Sequence, residues 1–156
     1  MKTTVIAVGT KMPGWVETGV NEYLKRLPDS FGLSITEIPL GYRKKNSSAL
    51  QGKEKEGDAI LEAVPEKSYI IALDEHGKLL PTMGMAKKFE RFSGEGVNPS
   101  FLIGGPDGLS NQCLDKANEI WSLSPLTLPH TVVRIVIAEQ MYRIWSVLQG
   151  HPYHRE

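Results

Sequence analysis

The segment Gly150-His151-Pro152-Tyr153-His154-Arg155-Glu156 concentrates side chains that can do chemistry. Two imidazoles, a phenol and a guanidinium can bind anions, stack on bases and exchange protons near neutral pH. Terminal residues are more often frayed and inert; the density of His, Tyr and Arg is the argument against that here. With His130, the two tail histidines could also supply nitrogen ligands to zinc, although no cysteine pair or HExxH pattern accompanies them. A second cluster, Gly104-Gly105-Pro106-Asp107-Gly108, directly follows the apolar run Ser100–Ile103. Glycines let a backbone approach a ligand closely or turn with positive φ, so this segment reads equally as a ligand loop and as a plain turn. A third, Ser122–His130, is apolar, stiffened by Pro125 and Pro129 and dotted with hydroxyls. Such a stretch can wrap an adenine, with apolar contacts to the ring and peptide groups at its edge. It can equally be a buried connector.

Several familiar chemistries lack their residues. The glycine loop has no Lys-Ser/Thr after its last glycine, which disfavours a P-loop. Gly9-Thr10-Lys11-Met12-Pro13-Gly14 is not a dinucleotide fingerprint, so a nicotinamide enzyme is disfavoured. No GxSxG precedes a helix, and Cys113 has no identifiable histidine partner, leaving nucleophilic catalysis with little support.

The elements that must position these clusters alternate along the chain. Thr3–Val8 reads as an apolar strand, and Val16, Val20, Tyr23, Leu24 and Leu27 as a helix entered at Pro13 and stopped by Pro28-Asp29. Leu33–Ile38 alternates as a strand, Pro39–Ser48 is a polar, basic loop, and a helix runs from about Gln51 to Ala63. Tyr69–Leu73 is a buried strand ending in the polar turn Asp74–Lys78. A helix over Met83–Phe92, a strand over Ser100–Ile103 and a helix over Asn111–Ala117 follow. Trp121–Pro129 is an irregular apolar stretch, and Thr131–Gln149 the longest helix. The alternation predicts an α/β fold, a mainly parallel sheet with helices on both faces. Ligands of such sheets bind beyond the carboxyl ends of the strands. Three segments should converge there: the turn after Leu73, the loop from Gly104, and Leu123–Leu128.

Bulk properties bound the rest. A length of 156 residues suits a single domain, residues 1–156. With 18 basic and 18 acidic residues the net charge is zero, a mild argument against gripping naked nucleic acid. Arg43-Lys44-Lys45, the group Lys87, Lys88 and Arg91, and the tail soften it locally. One cysteine permits no intrachain disulfide and suits a reducing, cytoplasmic home. The N-terminal apolar run is too short for a signal peptide, and no segment is apolar for long enough to cross a bilayer. The last helix carries Val132, Val133, Ile135, Val136, Ile137, Ala138, Met141, Ile144, Trp145, Val147 and Leu148 around most of its circumference. One face of a monomer needs only one apolar stripe, so the second is buried either centrally within the monomer or, the favoured reading, against another subunit in a two-fold homodimer contact.

Four stretches together resemble the RlmH family, the ribosomal RNA large-subunit pseudouridine N3-methyltransferases of the SPOUT superfamily. They are Ala7–Pro13, Leu102–Ser110, Trp121–His130 and His151–Glu156, and the resemblance covers the whole chain. It implies a C-terminal deep trefoil knot, which base rates argue against. It also implies a homodimer, a bent S-adenosylmethionine bound in the knotted loops, and no metal. Carried over residue by residue, the cofactor contacts are Leu73, Gly104, Leu123, Ser124, Pro125, Leu126, Thr127 and Leu128. The implied target is a pseudouridine in 23S ribosomal RNA of the assembled ribosome. Its N3 must lose a proton before it can attack, which calls for a base or for cations beside the imide. His154 and Arg155 are assigned to that task, with Tyr153 stacking or hydrogen-bonding and His130 and Glu139 orienting the site. The tail is expected to reach the cofactor pocket of the opposite subunit. Rival readings are a SPOUT-type enzyme acting on transfer RNA and a non-catalytic ribosome-binding factor.

Overall fold

The computed structural model describes residues 1–41 and 48–155; the basic triplet Arg43-Lys44-Lys45 lies outside them. The first strand, β1 (Lys2–Val8), has Val5, Ile6, Ala7 and Val8 fully buried, as a strand covered on both faces requires. It is followed by α1 (Gly14–Leu24), β2 (Gly32–Ile38), α2 (Ala49–Ala63), β3 (Tyr69–Leu79) and α3 (Thr82–Glu95). The chain continues through β4 (Pro99–Ile103), α4 (Asn111–Lys116), β5 (Glu119–Ser122) and α5 (His130–Gln149), with a closing 3-10 turn at Pro152–Arg155. The five strands form one sheet in the order β2-β1-β4-β3-β5, and every pair is parallel. The expected α/β class is therefore what the chain adopts.

Two boundaries differ from the sequence reading, both at the site-bearing edge. Trp121 pairs with Leu73 and again with Lys78, so β3 continues past its polar turn and extrudes Asp74–Gly77 as a bulge. The backbone ladder sustains the strand there, whereas apolar periodicity reports only side-chain burial. Gly77 permits it, because a Cβ at this position would lie 2.7 Å from the Ile120 carbonyl oxygen. Trp121 and Ser122 belong to β5 rather than to an irregular stretch. Four residues are too few to show a period, and pairing with β3 holds them.

The core has two sides. On one, α3 and α5 pack Phe89, Phe92, Ile137, Met141 and Ile144 against Phe101 and Trp121 of the sheet, with Phe89 stacked on Phe101 at 6.0 Å. On the other, α2 and α4 bring Ile60 and Cys113 against Ile6, Val8, Ala72 and Leu102. Helix α5 lies against both α1 and α3. Ala138 meets Val16 and Val20, and Ile135 fills the space above Gly19, where a Cβ would lie 2.9 Å from it. The protein's own helices thus cover much of a circumference that the sequence argument gave to a second subunit. The part-exposed residues of α5 include a stripe of Val132, Val136, Glu139, Arg143 and Val147.

A polar clasp closes the β3–β5 edge. Glu119 accepts hydrogen bonds from the Tyr69 hydroxyl (2.6 Å) and the Trp121 indole (3.0 Å) and pairs with Lys88 of α3 (3.0 Å). Burial pushes the Glu119 carboxyl up, but the bonds from Tyr69, Trp121 and Lys88 outweigh it and hold the group below its ordinary 4.5. Burial and the same carboxylate push Tyr69 up to about 12. A carboxyl lowered in the folded state stabilises above its unfolded value, and that contribution is lost as pH falls through the folded one. Glu119→Gln should cost about 1–3 kcal/mol in urea unfolding at pH 7. Below pH ~4.5 the gap between variant and wild type should close as the wild-type carboxylate is protonated.

Candidate active site

Strand β4 ends at Ile103, and the next five residues double back on themselves. Gly105 and Gly108 form an antiparallel bridge, the Gly108 N–H donates to the Gly105 carbonyl at 3.0 Å, and Gly108 has φ +79°. A Cβ on Gly104 would lie 2.4 Å from the Gly108 carbonyl carbon. The loop is thus a tight turn, and it is also a cavity wall. Ser110 ends it by accepting the Cys113 N–H and capping α4.

The extruded residues Asp74–Gly77 form a second wall and Leu123–Leu128 a third. The third is held by local bonds: the Ser122 hydroxyl donates to the Ser124 carbonyl (2.9 Å) and the Leu126 N–H to the Ser124 hydroxyl (2.9 Å). The Thr127 hydroxyl donates to Glu75 at 2.8 Å, tying this loop to the bulge. The three walls surround one open cavity of about 900 Å³. Leu73, Gly104, Leu123, Ser124, Leu126, Thr127 and Leu128 all line it; the exposed Pro125 does not. Sequence reasoning missed the apolar Ile103, Leu109, Leu114, Ile120 and Val133, and Lys53 of α2. Ile103, Leu114, Ile120 and Val133 follow from their strand and helix positions once the topology is known, and Leu109 from the loop that leads into α4. Lys53 carries no signal, being one of two lysines on a polar helix.

His130, the first residue of α5, also lines the cavity. Burial and the neighbouring Arg134 cation push its imidazole below the ordinary 6.5, against the opposing pull of Glu56. Arg134 is only 3% exposed. It donates to the carbonyls of Gly9 (2.7 Å) and Val8 (3.2 Å) and pairs with Glu37 (2.6 Å), anchoring α5 to the ends of β1 and β2. Gly9 takes φ +116°, and a Cβ there would lie 2.8 Å from the Met12 side chain.

The remaining chemistry-bearing residues gather elsewhere. Tyr153, His154 and Arg155 sit in the 3-10 turn beyond α5, and none lines the large cavity. The Tyr153 hydroxyl donates to Glu139 at 3.2 Å. His154 borders a smaller cleft of about 400 Å³ with Thr82, Met83, Gln140, Arg143 and Val147. At 1.5 Å per helical residue, the path from His130 to Arg143 spans roughly 20 Å. One chain therefore unites the expected cofactor residues with His130, and separately the tail with Glu139, without joining the two groups. Within one chain the same separation takes His130 away from His151 and His154, so the three histidines of the zinc alternative do not gather there. Among the described residues, no group of three His, Cys, Asp or Glu could hold a metal ion. No helix among them is long and apolar enough to cross a membrane.

A family model described as "Predicted SPOUT methyltransferase" matches residues 1–154. A protein from Hahella chejuensis named "Ribosomal RNA large subunit methyltransferase H" is 49% identical over 156 residues, covering 100% of both chains. Its namesake from Marinomonas sp. is 48% identical over 155 residues, 99% of this chain and 100% of that one. Among solved structures, "a probable methylase family protein" from Haemophilus influenzae superposes with a TM-score of 0.58 at 15% identity. It covers 97% of this chain and 67% of its own, and speaks to the fold alone.

Two measurements check the geometry. Gly104→Ala should destabilise by on the order of 2–3 kcal/mol through the backbone clash, lowering Tm by roughly 5–10 °C. In an NMR pH titration, His130 should show a midpoint below 6.5, leaving it neutral at pH 7.

Proposed function

The chain belongs to the SPOUT methyltransferase family, and on that premise we propose that it methylates N3 of a pseudouridine in 23S ribosomal RNA of the assembled ribosome, using S-adenosylmethionine and acting as a cytoplasmic homodimer. One observation carries the reading: three segments distant in sequence, Asp74–Gly77, Gly104–Gly108 and Leu123–Leu128, enclose a single cavity. Relatives matched along their full length are named for large-subunit ribosomal RNA methylation, which supports the substrate class.

The lining suits an adenosyl group. Leu73, Leu123 and Leu128 offer apolar contact for a purine, the two loops offer peptide groups for its edge, and Asp74, Glu75 and Asp107 offer countercharge to a sulfonium or ammonium. Bound there, S-adenosylmethionine supplies a methyl group activated by the positive sulfur. The residues of this chain have the remaining tasks. Leu73, Gly104, Leu123, Ser124, Leu126, Thr127 and Leu128 hold the donor, and Pro125 stiffens their loop. His154 takes the proton from the imide N3–H, and Arg155 stabilises the charge left on the flanking carbonyls. His130, neutral at the cavity edge, orients the site. The methyl transfer itself calls for alignment rather than a protein nucleophile.

Within one chain the tail and the cavity stand apart, and a two-fold contact along the part-exposed stripe of α5 would bring the tail of one subunit to the cavity of the other. The catalytic unit is then a pair of single domains, each comprising residues 1–156. A trefoil knot in the C-terminal part belongs to the same reading: after β5 at the sheet edge, the chain returns to lie against α1 and α3 on one face.

Labelled S-adenosylmethionine offered with intact ribosomes and bulk transfer RNA should label 23S RNA. Label in transfer RNA, or no heat on titrating the cofactor, would select one of the rival readings instead. Deleting Tyr153–Glu156 should cut turnover by about 10²–10⁴-fold, the usual contribution of a general base, while cofactor affinity is retained. Mixing that deletion with a cavity variant such as Thr127→Trp should restore methylation, because the mixed dimer keeps one intact composite site.

A further inference from the structure

We propose that Glu139 and Arg143 are positioning residues for the tail, and that Tyr153 is the anchor they hold rather than a group that meets the RNA base. The inference rests on the reading that His154 and Arg155 act on that base, and it changes the role expected of Tyr153.

The clamp is built from both helices that flank it. Glu139 Oε1 accepts the Tyr153 hydroxyl at 3.2 Å and the Nε and Nη2 groups of Arg143, each at 2.8 Å. Its other oxygen accepts from the Gln140 amide at 2.8 Å, and Gln140 in turn accepts from Thr82 of α3 at 2.7 Å. The carboxylate is therefore oriented before Tyr153 arrives, and a fork of guanidinium donors resists its rotation.

The Tyr153 ring is equally committed. It meets Tyr142 edge to face at 4.6 Å, and the Arg143 guanidinium lies 4.8 Å from its centroid. Tyr142 is itself backed by Trp145, stacked at 5.6 Å, and by the Arg26 guanidinium at 5.5 Å. The Tyr153 ring is thus engaged by an aromatic and a cationic side chain of its own chain. Burial, with Glu139 and Tyr23 beside it, pushes the phenol up to about 12, so it stays a neutral donor.

The chain reaches this clamp by a tight reversal. Gly150 turns with φ +68°, the His151 N–H donates to the Ser146 carbonyl at 2.8 Å, and the Tyr153 N–H donates to His151 Nδ1 at 3.2 Å. The two residues after the anchor carry the proposed chemistry. His154 stands at the wall of the smaller cleft with no hydrogen-bond partner on Nδ1, and Arg155 is exposed. An anchored Tyr153 narrows the directions in which both can leave the fold, a gain in preorganisation.

The test pairs kinetics on ribosomes with the backbone order of residues 153–155, read as heteronuclear NOE in the full-length protein. Tyr153→Phe keeps the ring and loses the hydroxyl; kcat should fall about three- to tenfold, the range of one hydrogen bond. Tyr153→Ala should cost on the order of a hundredfold as the ring contacts go too. Arg143→Lys keeps the charge without the fork or the flat face and should resemble Tyr153→Phe. Across the series the NOE should fall in step with kcat, cofactor affinity should not move, and Glu139→Gln combined with Tyr153→Phe should be less than additive. Abolished turnover in Tyr153→Phe with an unchanged NOE would put the phenol in the chemistry and overturn the proposal. An ordered tail in Tyr153→Ala would overturn it as well. A wild-type protein that leaves ribosomes unlabelled would defeat the functional reading alone, since the NOE series reports the clamp without any turnover.

Discussion

Trp121 pairs twice with β3, at Leu73 and at Lys78, and the residues between those pairings must leave the sheet. Much of the site follows from that constraint. The extruded Asp74–Gly77 segment becomes a wall, and Glu75 on it receives the Thr127 hydroxyl, so that the loop after β5 is fixed against the bulge of β3. The double pairing is itself secured from below. Trp121 is fully buried against Phe101, and its indole N–H is held by Glu119, which also receives Tyr69 and Lys88. A hydrophobic side chain, a part-buried carboxylate and a glycine at position 77 thus act together at this sheet edge.

The long helix α5 distributes function along its length. Its first turn carries His130 into the cavity wall, and one turn later Arg134 ties the helix to the carbonyls of Val8 and Gly9 and to Glu37. A buried cation of this kind is costly unless its partners are complete, and a charge and two carbonyls meet most of its donors. The far end holds a different cluster, in which Glu139 and Arg143 receive the tail. The helix works as a rigid spacer of about 30 Å, which is why residues close in type and purpose fall at two separate places. Within one chain the two clusters are thus kept apart by geometry rather than by flexibility.

Glycine has a double use in the loop after β4. Gly104 has no room for a side chain because the opposite arm of its own turn passes there, and the same closeness leaves the face toward the cavity smooth. The tight turn that the sequence allowed is thus also a wall of the cavity.

From residue order alone came the parallel α/β class, the buried character of β1 and β4, and the three segments that meet beyond the strand ends. Those features are written in local apolar periodicity and in the punctuation of Gly and Pro, which a single chain displays openly. The motifs at Ala7–Pro13, Leu102–Ser110 and Trp121–His130 also carried the family. Tertiary structure decided what depends on non-local partners: the continuation of β3 past Leu73, the membership of Trp121 in a strand, the exclusion of Pro125 from the cavity wall, and the burial of most of α5 by α1 and α3. It alone placed Tyr153 against Tyr142, Glu139 and Arg143. Side-chain types announce what a residue can bind. Which partner it meets is settled only when the chain folds back, and for Tyr153 that partner is the protein itself.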